Sequence, residues 1–77
     1  MYIDDEVHNL NAFRANFRRS YEIYTANSAA EGLQVLKGIE VHIIIADQKM
    51  PTTTGVEFFN QIKDLLPDPI RILLTGY

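Results

Sequence analysis

Val41-His42-Ile43-Ile44-Ile45-Ala46-Asp47 decides the fold. A β-branched run with no polar alternation is what a parallel strand covered on both faces requires, and this one ends at an aspartate. Toward the N-terminus, Ser28-Ala29-Ala30-Glu31 has the form of a capping box, in which hydroxyl and carboxylate satisfy free N–H groups at a helix start. That helix turns Ala29, Leu33 and Leu36 inward and closes at Gly38, whose tolerance of left-handed backbone suits a helix end. Before it, Tyr21 to Ala26 alternates β-branched and aromatic types, as a short strand near a sheet edge does. Val7, Leu10, Phe13 and Phe17 recur at three- and four-residue steps, predicting a helix over roughly residues 6 to 19 with Asn9, Asn11, Arg14 and Arg18 on its wetter side. Met1-Tyr2-Ile3 reads as the end of a short strand that stops at Asp4-Asp5.

Toward the C-terminus, Thr54-Gly55-Val56-Glu57 is a second capping box. Val56, Phe59, Ile62 and Leu66 form the apolar stripe of the helix that follows, with Phe58 and Leu65 beside it, and Pro67 and Pro69 end it. Ile70 to Leu74 is another apolar strand, ending at Thr75-Gly76-Tyr77. The order β-α-β-α-β-α-β with short connections predicts an α/β fold with a parallel sheet and right-handed crossovers.

At 77 residues the chain is one domain at most, and a domain of that size buries only about 60% of the surface its unfolded chain exposes. The absence of cysteine removes disulfide and thiolate-zinc scaffolds. With 47% hydrophobic and 22% charged residues the composition is that of a globular chain. A net charge of −3 gives no electrostatic reason for direct nucleic-acid binding. No membrane-spanning run and no secretion signal are evident, so a cytoplasmic setting is expected.

The polar residues gather at the carboxyl ends of the strands. Asp4 and Asp5 follow the first, Asp47 the third and Thr75 the fourth. Ligands of open parallel sheets bind at that edge, where strand order reverses; in the order 2-1-3-4 of flavodoxin-like sheets the reversal brings Asp4, Asp5 and Asp47 together. Three adjacent carboxylates call for a cation, and an all-oxygen donor set suits Mg²⁺ with retained waters. A carboxylate beside Mg²⁺ can attack phosphorus, and a hydroxyl such as that of Thr75 can hydrogen-bond the phosphoryl oxygens. Taken singly, Asp4-Asp5 also fits a helix-start pair and Asp47 a turn residue ahead of Pro51. His42 reads as a core or half-buried imidazole, His8 as a surface residue, and Arg14, Arg18 and Arg19 as a solvated helix face. Phe13, Phe17, Phe58 and Phe59 read as core.

Ile3-Asp4-Asp5-Glu6, Asp47-Gln48-Lys49-Met50-Pro51 with Gly55, and Leu73-Leu74-Thr75-Gly76 together resemble three motifs of the receiver (REC, chemotaxis-regulator-like) domain of two-component response regulators. The resemblance spans the whole chain. It implies a phosphoprotein of a signal-transduction phosphorelay, not a turnover enzyme, in which Asp47 takes a phosphoryl group from a sensor histidine kinase or phosphotransfer protein. It further implies that Asp4, Asp5, Asp47 and the backbone carbonyl of Lys49 hold Mg²⁺ and that Thr75 contacts the phosphoryl group. The wording around Asp47 and Thr75 is similar to receivers fused to transcriptional activators or to HD-type phosphodiesterases. Against the family pattern, residues 1–77 read as a partial receiver, a three-layer sheet lacking helix 4, strand 5 and helix 5. No residue matches the lysine that the family carries on strand 5; Lys49 and Lys63 stand elsewhere. The rival expectation is therefore a receiver fragment incompetent in phosphotransfer that associates with itself or other proteins through an exposed sheet edge. A nucleotide-binding flavodoxin-like domain is disfavoured, since no Gly-rich loop follows the first strand.

Overall fold

The computed structural model describes residues 1–66 and 68–75. Its elements run β1 (Tyr2–Ile3), α1 (Val7–Phe17), β2 (Thr25–Ala26), α2 (Ala29–Leu36), β3 (Ile43–Asp47), α3 (Gly55–Ile62) and β4 (Ile70–Leu74). The strands form one parallel sheet in the order β2-β1-β3-β4, the flavodoxin-like order expected. Tyr2 pairs with Thr25 on one side and Ile45 on the other, which aligns the carboxyl ends of β1 and β3.

Strand alternation divides the sheet into two unlike faces. Ile3, Ala26, Ile44 and Ala46 point to the face carrying α2 and α3, where they join Ala29, Leu36, Phe58 and Ile62 in the core. Gly32 lets α2 approach closely: a Cβ there would lie 2.9 Å from Ile3 Cδ1 and 3.3 Å from the Phe58 ring. The opposite face carries α1, which packs on β1 and β2 through Leu10 and through Phe13, whose ring lies 4.7 Å from that of Tyr2.

The expectation that β3 is covered on both faces is therefore corrected. Burial alternates along it, with Ile44 and Ala46 buried, Ile45 half-buried and Ile43 exposed, because α1 sits over the other half of the sheet. Ile70, Ile72 and Leu74 of β4 are exposed as well. His42 lies outside β3 and is exposed; its backbone carbonyl accepts the Ile70 N–H at 2.9 Å. His8 is exposed, as expected.

Several local expectations shift in detail. The edge strand is only Thr25–Ala26, and α1 ends at Phe17, which is exposed along with Val7. The inward stripe of α3 is Gly55, Phe58 and Ile62, flanked by half-buried Phe59 and Leu66, whereas Val56 is exposed; both phases share Ile62, which hid the difference. The α3 capping box is complete, with Thr54 Oγ1 accepting the Glu57 N–H and Glu57 Oε1 the Thr54 N–H. At α2 the Ser28 half is present, but Glu31 Oε1 accepts the N–H of Asn27 in place of that of Ser28. No described glycine has positive φ, so α2 ends without a left-handed cap; the Gly38 N–H bonds the Val35 carbonyl at 3.4 Å. Past Ile62, Arg71 of β4 donates from Nη2 to the Leu66 carbonyl at 2.5 Å. Of the residues expected to end α3 and β4, Pro67, Gly76 and Tyr77 lie outside the described residues.

Candidate functional site

Asp4 follows β1 and is 2% exposed. Its Oδ1 accepts the N–H of Glu6 at 2.9 Å, an Asx turn that leads the chain into α1. Its Oδ2 accepts from Asn9 Nδ2 at 3.0 Å and from the Tyr2 hydroxyl at 2.5 Å. Residues two apart in extended chain share a side, which is how Tyr2 and Asp4 meet. Burial, then the Asp4 bond and the charges of Asp4 and Asp47, raise the Tyr2 hydroxyl well above its ordinary value, so it remains a donor at neutral pH.

Asp47 ends β3 and pairs with Leu74 of β4. Beyond it, the Gln48 N–H donates to the Leu74 carbonyl at 2.9 Å, which ties the loop to the β4 edge. The Gln48 carbonyl accepts from Met50 and Gly55, and Gln48 Oε1 accepts the Val56 N–H at 2.9 Å, so this one residue joins β3 to the first turn of α3. Met50 is buried in the core and anchors the far side of the loop.

These elements bring three of the expected residues together. Asp4, Asp5 and Asp47 each offer a carboxylate oxygen within 4.8 Å of the others, Asp4 buried and the other two half-buried. Such an oxygen-only set, partly open to water, fits a small hard cation that keeps several waters. Thr75 is exposed and directly follows Leu74, the register partner of Asp47. Lys49 is exposed in the loop between Gln48 and Met50.

Tyr2, Asn9 and Gln48 escaped the sequence reading. Tyr2 looked like part of an apolar strand end and Asn9 like a solvated helix residue, although the two-residue step from Tyr2 to Asp4 was a usable signal. Nothing local marks Gln48, whose partners on α3 and β4 are set by the folded sheet.

A family model for the response regulator receiver domain matches residues 1–77. The hydrogenase transcriptional regulatory protein HoxA of Bradyrhizobium diazoefficiens is 36% identical over 77 residues, which is 100% of this chain and 16% of that protein. HoxA of Cupriavidus necator is 34% identical over the same share of each. Among solved structures, a response regulator receiver domain protein from Clostridium thermocellum superposes with a TM-score of 0.91 at 32% identity, over 99% of this chain and 63% of that one. The signal receiver domain of an HD domain-containing protein from Pseudomonas fluorescens Pf-5 gives 0.91 at 27% identity, over 99% and 62%. The chain thus spans about a sixth of those curated relatives. With a match along its full length and the sheet order and acidic edge described above, the chain belongs to the response regulator receiver domain family.

Proposed function

We propose that this chain is the phosphoacceptor module of a two-component phosphorelay, with Asp47 as the residue phosphorylated. The observation that carries the reading is the meeting of Asp4, Asp5 and Asp47 at the carboxyl edge of the sheet in a member of the receiver family. The donor is the phosphohistidine of a sensor histidine kinase or phosphotransfer protein. An Asp47 carboxylate oxygen attacks phosphorus in line; the O–P bond forms as the P–N bond breaks, and the released imidazole takes a proton from solvent. Asp4, Asp5, Asp47 and the Lys49 carbonyl are the groups that hold Mg²⁺, which when bound offsets charge on the phosphoryl oxygens. Thr75 donates its hydroxyl proton to one of those oxygens. Gln48 keeps the loop after Asp47 bonded to α3 and β4, so the acceptor stands on a fixed edge. The setting is cytoplasmic in this reading; among the described residues no helix is long and apolar enough to cross a membrane. Incubating the purified chain with Mg²⁺ and a small acyl phosphate, and locating the phosphoryl group, tests the reading.

The second reading, a receiver that acts by association without phosphotransfer, has one observation in favour of its association. Ile43, Ile70, Ile72 and Leu74 are exposed together on one face of β3 and β4, and β4 is the outer strand of the described sheet. The partner in that case is a second copy, added at the β4 edge so that the apolar strips of the two sheets adjoin.

A further inference from the structure

We propose that Tyr2 and Asn9 are positioning residues that set the ion preference of the acidic site, by occupying one carboxylate oxygen of Asp4 so that a cation meets only the other. The inference rests on the Mg²⁺ reading above. A carboxylate offers about four lone-pair positions. On Asp4, Oδ2 takes both the Tyr2 hydroxyl at 2.5 Å and Asn9 Nδ2 at 3.0 Å, while Oδ1 takes the Glu6 N–H at 2.9 Å. One position, on Oδ1, is left for a ligand.

Both donors are held by elements of the fold. Tyr2 lies in β1, paired on both sides, with its ring against Phe13 at 4.7 Å. Asn9 lies in α1, whose start is tied to Asp4 itself through Glu6. Asp4 is nearly fully buried, and its bonds to Tyr2, Asn9 and the Glu6 N–H hold the carboxylate in one orientation. A large cation such as Ca²⁺ collects six to eight oxygens and commonly uses carboxylates through both, whereas Mg²⁺ keeps its waters and needs few protein oxygens. Restricting Asp4 to one oxygen therefore tilts the site toward the smaller ion. Removing the two donors returns Oδ2 to the site and lets Ca²⁺ compete.

The test is calorimetric titration of Mg²⁺ and of Ca²⁺ into the purified chain, its Tyr2→Phe and Asn9→Ala variants, and the double variant. Tyr2→Phe keeps the ring against Phe13, and Asn9 is exposed, so folding is retained in at least the latter. The expected result is a preference for Mg²⁺ over Ca²⁺ that falls about tenfold in the double variant, with a smaller fall in the same direction in each single one. An unchanged preference, or equal weakening of both ions, overturns the inference while leaving the Mg²⁺ reading standing. Binding of neither ion by the unsubstituted chain overturns both.

Discussion

Gly55 stands so close to Asp47 that a Cβ on it would lie 2.8 Å from the Asp47 carbonyl oxygen. The same Cβ would lie 2.5 Å from Leu73 Cδ1. The reason is steric and not conformational, because no described glycine has positive φ. In an open helix, alanine in place of glycine gains about 1 kcal/mol. Here overpacking of roughly 1–3 kcal/mol opposes that gain and exceeds it, since one neighbour is backbone that cannot rotate away. Gly55→Ala is expected to lower the urea midpoint and to slow phosphorylation by displacing the Asp47 loop. A variant as stable and as reactive as the parent would show that the close approach is unimportant.

Thr54 and Glu57 fix the first turn of α3, and through it the loop that follows Asp47. Thr54→Ala is expected to cost about 1 kcal/mol, read by urea unfolding. Hydrogen bonds from the Thr54 backbone, then its side chain, hold the Glu57 carboxyl below its ordinary 4.5. With the folded value below the unfolded one, the stabilisation is present at neutral pH and is lost as pH falls from about 4.5 through the lower folded value. An NMR titration should place Glu57 below 4.5, and Thr54→Ala should move it partway back. A Glu57 midpoint no lower than 4.5 would contradict the box.

In the proposed phosphoacceptor reading, Thr75, which directly follows β4, is a hydroxyl donor to the phosphoryl group. Thr75→Ala is expected to slow phosphorylation roughly 10- to 100-fold, less than the loss at an enclosed oxyanion donor because Thr75 is exposed. Thr75→Ser should restore most of the rate. Equal rates in all three proteins would remove Thr75 from the site.

What the sequence revealed and what it hid follow from the range of the interactions. The period-2 and period-3.6 patterns, the Thr54 box and the aspartates after strand ends are local, and they sufficed for the run of elements; the sheet order, and with it the acidic cluster, came from the likeness to flavodoxin-like receivers. The uncovered half of β3 was hidden, because an apolar run reports what a strand can bury and not which helix lies over it. His42 was read as core or half-buried for the same reason, whereas it is exposed. The α3 stripe was misphased because Phe58 and Phe59 are both apolar, and what distinguishes them is the packing of Phe58 against Gly32 of α2 and the rest of the core. The bonds of Asp4 to Tyr2 and Asn9, and of Gln48 to Val56, depend on rotamers and on neighbours brought in by the fold.

Self-association is the outcome to expect if the exposed strip of β3 and β4 governs behaviour. Sedimentation at concentrations of tens of micromolar should then show a dimer or larger species, and Ile72→Lys, at the centre of β4, should return it to monomer. A compact monomer before substitution would set the second reading aside.

The central claim is that Asp47 is the phosphoacceptor. Intact-mass measurement after incubation with Mg²⁺ and a small acyl phosphate, followed by peptide mapping, tests it most directly. The account predicts one added phosphoryl group, mapped to Asp47, dependent on Mg²⁺ and absent from Asp47→Asn. No uptake by the unsubstituted chain, or uptake that persists in Asp47→Asn, would contradict it.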